Sequence, residues 1–515
     1  MTRINTNVAS LIAQANLAKS NSALSQTLGR LATGLRITRG ADDPAGLIVS
    51  ERLQTELRGI GQGVKNSERA SSVIATAEGA LAEVSDLLNS IKSLTVEAAN
   101  TGALSKEEVA ANQLQVDSAI DSITRIANTT SFAGLKLLNG SLAYNLSGVD
   151  TTEIVKTRVF AAQFGDAPTF DVDVEVLGSA QTAGLFLRSD FATTVPGGAD
   201  GVLPSAMTIE VAGVDGVTEI TFSSGTTIDS IMDAINSKSS ITGIAAERVS
   251  ATDVSSGLRF YSVAFGSDAF VSVKKLSGGS AVDFGRIIND APEPAFWVGT
   301  PNITIADRDA GKDVVVLVNG SVATGNGLNV TVRNPELDLQ MLLTEAFATA
   351  VTGTPSSFVI TGGGAKFQLG PQITPLQQTN VGLDSLAATR VGGTFVTNTS
   401  GNLELQFLSS LKSGGENELG TGNLANASRI LETAIDEISS LRGRLGAFER
   451  NVLQTNIRSL QAGLENISAS ASVIRDADFA KETSELTRAQ VLVAAGTSVL
   501  AAANSNVQSV LQLLG

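Results

Sequence analysis

A multidomain α + β fold is predicted, with a long α-helical coiled-coil-like bundle formed by both chain termini and β-rich outer domains inserted from the central region. Three features of the sequence predict it. The C-terminal stretch carries one apolar residue every seven positions, at Phe479, Leu486, Val493, Leu500, Val507 and Leu514, with Ala489, Gly496, Ala503 and Val510 offset by three. A stripe also opens the chain, through Ile4, Val8, Leu11, Ala15 and Ala18, then in a second register through Leu17, Leu24, Leu28, Leu31 and Leu35. Such spacing is the seam by which helices pair. Finally, of the 11 prolines only Pro44 lies near an end, and the rest fall between Pro168 and Pro375. Proline breaks helix interiors, so the chain divides into helical ends and a non-helical middle.

The elements follow in order. Gly40-Ala41-Asp42-Asp43-Pro44-Ala45 reads as a helix stop and restart, with Asp43 as N-cap and Pro44 at the first helical position. Ile74, Ala77, Leu81, Val84, Leu88, Ile91 and Ala98 keep a three-four spacing. Ser105-Lys106-Glu107-Glu108 is a capping box, and Val109, Val116, Ile120, Ile123 and Ala127 continue a new helix, so a long antiparallel helix pair is expected. In the middle, Met207 to Val211 and Glu219 to Phe222 read as strands around the turn Gly213-Val214-Asp215-Gly216. A helix starts at Gly225-Thr226-Thr227-Ile228 with Ile228, Ile231 and Ile235 on one face, and Leu258-Arg259-Phe260-Tyr261 resumes as strand. Val314 to Val318 and Leu328 to Val332 form a second β-rich stretch before the turn-rich Thr361-Gly362-Gly363-Gly364. Two small β/α modules account for this order. Near the end, Leu431, Ala434, Ile438, Leu441, Leu445, Phe448 and Val452 form a heptad. The seam then shifts by one residue to Leu453, Ile457, Leu460, Leu464, Ile467, Ala471 and Ile474. A slip of this kind changes supercoil locally without ending the helix.

Composition excludes most chemistry. A chain of 515 residues, 43% hydrophobic, can build several cores, but aromatics are 4% and Trp297 is the sole tryptophan, so Ala, Val, Leu and Ile must fill them. A net charge of -15 argues against a nucleic-acid ligand, because phosphate binding needs a basic surface. There is no Cys and no His, which removes thiol nucleophiles, disulfides, His-dependent triads and the usual zinc and haem ligands. Gly362 to Gly364 lacks the Lys and helix start of a phosphate loop and reads as a turn or bulge. Asp307-Arg308-Asp309 lacks the further ligands of a calcium loop and reads as a surface turn. Carboxylate pairs at Asp42-Asp43 and Glu107-Glu108 sit where helices begin. No catalytic, cofactor-binding or metal site is predicted, and the chain is not expected to be an enzyme. The first residues hold no apolar run and no small-residue cleavage site, so no cleavable signal is expected. From Ala489 onward there is no charge, yet Thr497, Ser498, Asn504, Ser505, Asn506, Gln508, Ser509 and Gln512 interrupt the apolar run. An amphipathic helix burying one face on protein is expected, and no membrane span.

Met1-Thr2-Arg3-Ile4-Asn5-Thr6-Asn7, Leu31-Ala32-Thr33-Gly34-Leu35-Arg36-Ile37, Asp42-Asp43-Pro44-Ala45-Gly46-Leu47, Ile474-Arg475-Asp476-Ala477-Asp478-Phe479-Ala480, Ala495-Gly496-Thr497 and Val510-Leu511-Gln512-Leu513-Leu514 closely resemble bacterial flagellin. The resemblance covers about residues 1 to 140 and 425 to 515, and Gly225 to Asn236 is similar to a module inserted in some flagellins and hook-associated proteins. It implies a secreted structural protomer that self-assembles head to tail into the helical, extracellular filament used for motility, after export unfolded through a type III flagellar apparatus. A hook-filament junction protein is the alternative, and a secreted coiled-coil adhesin a more distant one. The implied partners are the chain itself, an export chaperone on the C-terminal helix, hook-filament junction proteins and the filament cap, with no cofactor. The implied domains are 1–43 with 476–515 as an inner terminal helical domain, 44–184 with 358–475 as a helical tube domain with a β-hairpin region, and 185–357 as a variable outer domain. Two modules, about 200–290 and 291–357, would make up that outer part.

End helices that bury mainly Ala, Val and Leu gain little over their conformational entropy in isolation, and a head-to-tail interface whose rotation does not close gives an open fibre. Leu24, Leu28, Leu31 and Leu35, opposite Phe479, Leu486, Val493, Leu500, Val507 and Leu514, are the residues whose burial is expected to drive assembly. An intramolecular core would use the same positions. In family members sensed by the animal innate receptor, an Arg and a Glu flank a Leu. Aligned through Val96-Glu97-Ala98-Ala99-Asn100 and Phe132-Ala133-Gly134, those places hold Ser90, Leu94 and Gln115, so only the leucine is kept, which counts against receptor activation. Ala133 also replaces the Asn usual in its turn.

Overall fold

The computed structural model describes residues 6–100, 102–165, 167–187, 201–203, 205–249, 257–278, 283–287, 303–351, 353–397 and 403–514, the side chains of 303, 397, 403 and 506–514 excepted. Trp297 and Ile4 lie outside the described residues. Among them the α-helices are α1 (Val8–Thr33), α2 (Pro44–Ala98), α3 (Lys106–Thr129), α4 (Ile228–Asn236), α5 (Ser239–Thr242), α6 (Glu345–Thr349), α7 (Leu424–Phe448), α8 (Gln454–Arg475) and α9 (Phe479–Leu514). The chain forms two compact units: residues 1–72, 367–378 and 447–515, and residues 73–366 and 379–446.

The first unit is helical. α1 is capped by Asn7, whose side chain accepts the Ser10 N–H at 3.0 Å, and it ends at Gly34 in the left-handed conformation, with φ 72°. Asp43 Oδ1 accepts the Gly46 N–H at 2.9 Å, so Asp43 and Pro44 open α2 in the predicted roles. A π-helical turn, Glu449–Leu453, precedes α8 where the sequence shifts its seam. A π-turn inserts one residue into the helix, which rotates the following seam by that one position. Val452 accordingly is 37% exposed and Leu453 fully buried. Glu449 accepts a hydrogen bond from Ser71 Oγ of α2, holding the turn in place.

In the second unit, the predicted helix faces are inward. Ile74, Ala77, Leu81, Val84, Leu88 and Ile91 of α2, Val116, Ile120, Ile123 and Ala127 of α3, and Leu431, Ala434, Ile438 and Leu445 of α7 are all buried. The capping box at Ser105 and Glu108 is formed on both sides. Lys92 of α2 pairs with Glu432 of α7 at 3.1 Å. After α3 a short hairpin, Ser131–Phe132 with Leu135–Lys136, turns through Ala133 at φ 49° and Gly134 at φ 86°. Two positive φ values define the turn type that favours Asn-Gly, and an L side chain without a local hydrogen bond is strained there. Ala133→Asn is therefore expected to raise stability by about 0.5–1 kcal/mol, read as an increase in the unfolding midpoint. A lower midpoint would contradict it.

Two apolar cores make up the β region. An antiparallel eight-stranded sheet runs in the order 144–147, 356–363, 170–178, 315–318, 321–326, 329–333, 337–343 and 154–162. Val172, Val174, Val176, Val316, Val318, Val330, Leu339, Met341, Phe358 and Ile360 lie on its buried face. The second core joins a five-stranded and a four-stranded sheet with α4, through Leu185, Ile209, Val211, Ile231, Ile235, Phe260 and Val273. The predicted strands are present as Met207–Ala212, Val217–Phe222, Leu258–Phe265, Val315–Val318 and Asn329–Arg333. Thr227 caps α4 by accepting the Ser230 N–H, and Ile228, Ile231 and Ile235 are buried. Gly362 and Gly363 form a bulge inside a strand, where the register with 144–147 shifts after Ile360. The expectation for Asp307-Arg308-Asp309 is corrected. Arg308–Ala310 is a strand pairing with Phe270, Val271 and Ser272, and Asp309 accepts the Gly184 N–H at 2.9 Å. Burial pushes the Asp309 carboxyl above its ordinary value despite that bond. Short polar runs that pair as strands are not distinguishable from turns by composition.

Candidate functional site: the terminal helix pair

α1 and α9 lie side by side and antiparallel. Asn7 Nδ2 donates to the Ala503 carbonyl at 3.1 Å, Ser10 Oγ to Asn504 Oδ1 at 2.9 Å, and Arg30 Nη1 reaches Glu482 Oε1 at 3.3 Å. A Cβ placed on Gly496 would stand 3.2 Å from Leu17 Cδ1, so glycine lets the helices meet closely at that level. Beyond the helices, Leu35 and Asp476 form an antiparallel bridge, Arg36 N donates to the Arg475 carbonyl at 2.7 Å and Ala477 N to the Gly34 carbonyl at 2.9 Å. Asp478 then caps α9 by accepting the N–H groups of Ala480 and Lys481 at 2.9 and 3.1 Å. Asp42 closes the turn after α1, accepting from Thr38 Oγ1 at 2.8 Å and from the N–H groups of Thr38 and Arg39. The Thr38 hydroxyl and these amides hold its carboxyl down at about 2.

The seam is narrow. On α9, Glu482, Leu486, Ala489, Val493, Gly496, Leu500 and Ala503 are the buried or half-buried positions among the described side chains, the last six at the predicted heptad positions, and their immediate neighbours are exposed. On α1 the inward positions are Ser10, Ala13, Leu17, Ser20, Leu24, Thr27 and Leu31. Hydroxyl side chains therefore share the α1 seam, with Thr27 Oγ1 returning its hydrogen to the Ala23 carbonyl at 3.0 Å. Of the residues singled out in the sequence, Leu24, Leu31, Leu35, Leu486, Val493 and Leu500 are half-buried, whereas Leu28 is 49% and Phe479 63% exposed. The side chains of Val507 and Leu514 lie outside the described residues. Phe479–Ser505 is long and apolar enough to cross a membrane by composition, yet its seam side lies on α1. In the other unit, Ser90 and Gln115 are exposed and Leu94 half-buried.

Three family models match the chain: the bacterial flagellin N-terminal helical region over 4–143, the C-terminal helical region over 429–514, and the flagellin hook IN motif over 207–262. Helical termini paired around a β-rich centre, matched at both ends by these models, define a structural protein of the flagellum. The flagellin of Salmonella typhimurium is 28% identical over 553 residues, and the B-type flagellin of Pseudomonas aeruginosa 29% identical over 544, each alignment covering 99% of both chains. Among solved structures, a flagellar hook-associated protein from Legionella pneumophila is 14% identical, covering 82% of this chain and 98% of its own, with a TM-score of 0.29 that carries no structural argument. The chain belongs to the bacterial flagellin family. It is a structural, self-assembling protomer of the extracellular flagellar filament, which serves motility.

Proposed function

We propose that the antiparallel α1–α9 pair is the polymerising element of this protomer, completed only when neighbouring copies cover the faces it leaves open. One observation carries this reading: along the pair, Val8, Leu11, Ile12, Leu28, Phe479, Val491, Leu492 and Val499 keep between 48% and 63% of their surface exposed. Large apolar surface left on a soluble chain in this way marks an interaction face. In this reading Leu24, Leu31, Leu35, Leu486, Val493 and Leu500 hold the pair together, and Leu28 and Phe479 face neighbours. Val507 and Leu514 extend the seam by heptad position. Residues 1–43 with 476–515 form the inner part of the filament, 44–184 with 358–475 the helical tube, and 185–357 the outer part.

The same open face of α9 gives an export chaperone its purchase before assembly, and the junction and cap proteins theirs at the two ends of the filament. Export as an unfolded chain suits a pair whose burial is completed by assembly, and a sequence without Cys that forms no disulfide on the way. Seeded polymerisation tests the reading. Purified chain added to fragments of its own filament is expected to elongate them into long filaments. Failure to elongate under any salt or seed condition would overturn it.

A further inference from the structure

The two most exposed large apolar side chains among the described residues are Ile373, at 88%, and Leu376, at 89%, three positions apart in one loop of the helical unit. That loop is rigid. Leu369 N donates to the Gln377 carbonyl at 2.8 Å, and Gln372 N to Gln377 Oε1 at 2.6 Å. Gln368 Nε2 donates to the carbonyls of Gly370 and Gln372 at 2.9 and 2.6 Å, and Gln377 N to Thr374 O at 3.0 Å. Pro371 and Pro375 restrict it further. It is also seated. A Cβ on Gly59 of α2 would come within 2.8 Å of Pro371 Cβ, and one on Gly63 within 2.9 Å of the Leu369 carbonyl oxygen. The two glycines, one helical turn apart, thus make the notch the loop occupies. From α8, Asn456 Nδ2 donates to the same Leu369 carbonyl at 3.0 Å, and the Phe367 ring lies 6.5 Å from that of Phe448.

A loop fastened at its base through Phe367, Leu369 and Pro371 and bonded to itself, yet offering Ile373 and Leu376 to water, gains nothing for its own fold from those two side chains. Rigid apolar anchors of this kind lose little entropy on binding, which is how a few side chains come to dominate an interface. We infer that the loop 367–378 is an intersubunit clasp, in which Ile373 and Leu376 of one copy insert into the helical unit of a second copy of this chain. The inference rests on the proposed role of that unit in assembly. The occupant follows from the context: the chain is the protomer of a homopolymer, and the loop is built onto the unit that holds α1 and α9. The same unit leaves Ile48 at 59%, Val49 at 44% and Val473 at 80% exposure, away from the loop in sequence, as apolar surface for a head-to-tail contact.

The test compares seeded elongation by the unaltered chain and by the double variant I373D/L376D. The variant is expected to keep the monomer's unfolding midpoint and to raise the critical concentration for elongation at least about tenfold, or about 1.4 kcal/mol per subunit added. Equal critical concentrations would overturn the clasp while leaving the polymerising role of α1 and α9 intact; failure of the unaltered chain to elongate would instead defeat that role. Because the chain has no Cys, Ile373→Cys carrying a benzophenone label gives a second readout that does not depend on the variant's stability. Dimer-sized adducts are expected from labelled filaments and not from monomer. Filaments without such adducts, or adducts only with a different protein, would overturn the inference.

Discussion

Removal of residues 476–515 is expected to give a soluble monomer that forms no filament under any seeding condition. α1 depends on α9. Its inward side offers Ser10, Ala13, Leu17, Ser20, Leu24, Thr27 and Leu31, a seam too poor in large side chains to be buried on anything but a matched helix. α9 is that helix, and the truncation also removes the cap at Asp478, the bridge from Asp476 to Leu35 and the Arg30 to Glu482 contact. An isolated helix of 26 residues without a packed face is marginal in water, so α1 should melt as well. The helical signal should then fall by more than the 36 residues of α9 account for. The unfolding of the second unit, whose cores include no residue of α1 or α9, should keep its midpoint. Filaments formed by the truncated chain would remove the terminal pair from the assembly mechanism.

Much of this architecture was legible because it rests on local rules. The C-terminal heptad, the caps at Asp43, Ser105 and Thr227, and the one-residue seam shift at Val452 and Leu453 all appear where spacing and turn chemistry place them. The seam shift could be read as a slip, but not as a π-turn, since the sequence gives the change in phase and not the hydrogen bonding that absorbs it. The partner of a seam is also not encoded in its period. Leu28 and Phe479 fit the stripes yet stay exposed, because the pair meets closely at Leu17 and Gly496. Gly59 and Gly63 left a usable signal, two glycines four apart in a long helical pattern, which marks close approach of another segment. Nothing local names that segment as 367–378. The charged cluster on the strand 154–162 was illegible for the same reason, its members being separated by as many as 281 positions.

That cluster carries the second large effect. Glu437 of α7 receives Lys156 Nζ at 2.6 Å and Arg158 Nη1 at 3.2 Å on its two carboxylate oxygens, and also accepts the Gly392 N–H at 3.1 Å. Arg158 further reaches Asp384 at 3.4 Å, and Lys156 lies 5.7 Å from the centre of the Phe407 ring. Burial pulls the Lys156 ammonium below its usual value and pushes the Asp384 carboxyl above its own, which marks the site as poorly hydrated. Lys156 and Arg158 stand on the edge strand of the eight-stranded sheet, and Arg444 of the same helix lies 3.7 Å from the centre of the Phe160 ring and pairs with Asp338 at 2.6 Å. α7 thus fastens this edge strand together with Gly382, whose N–H donates to the Phe160 carbonyl at 2.7 Å, and an edge covered in this way is not left to pair with another chain. Glu437→Ala leaves two cations in poorly hydrated surroundings without their main partner, and should cost about 3 kcal/mol in denaturant unfolding. The exposed pair of Lys92 of α2 and Glu432 of α7 supplies the contrast, with side chains 40% and 56% exposed. Lys92→Ala should cost less than about 1 kcal/mol, because water already screens that pair. Equal losses in the two variants would mean that α7 is held by its apolar face alone, and that the charges at the sheet edge add nothing to it.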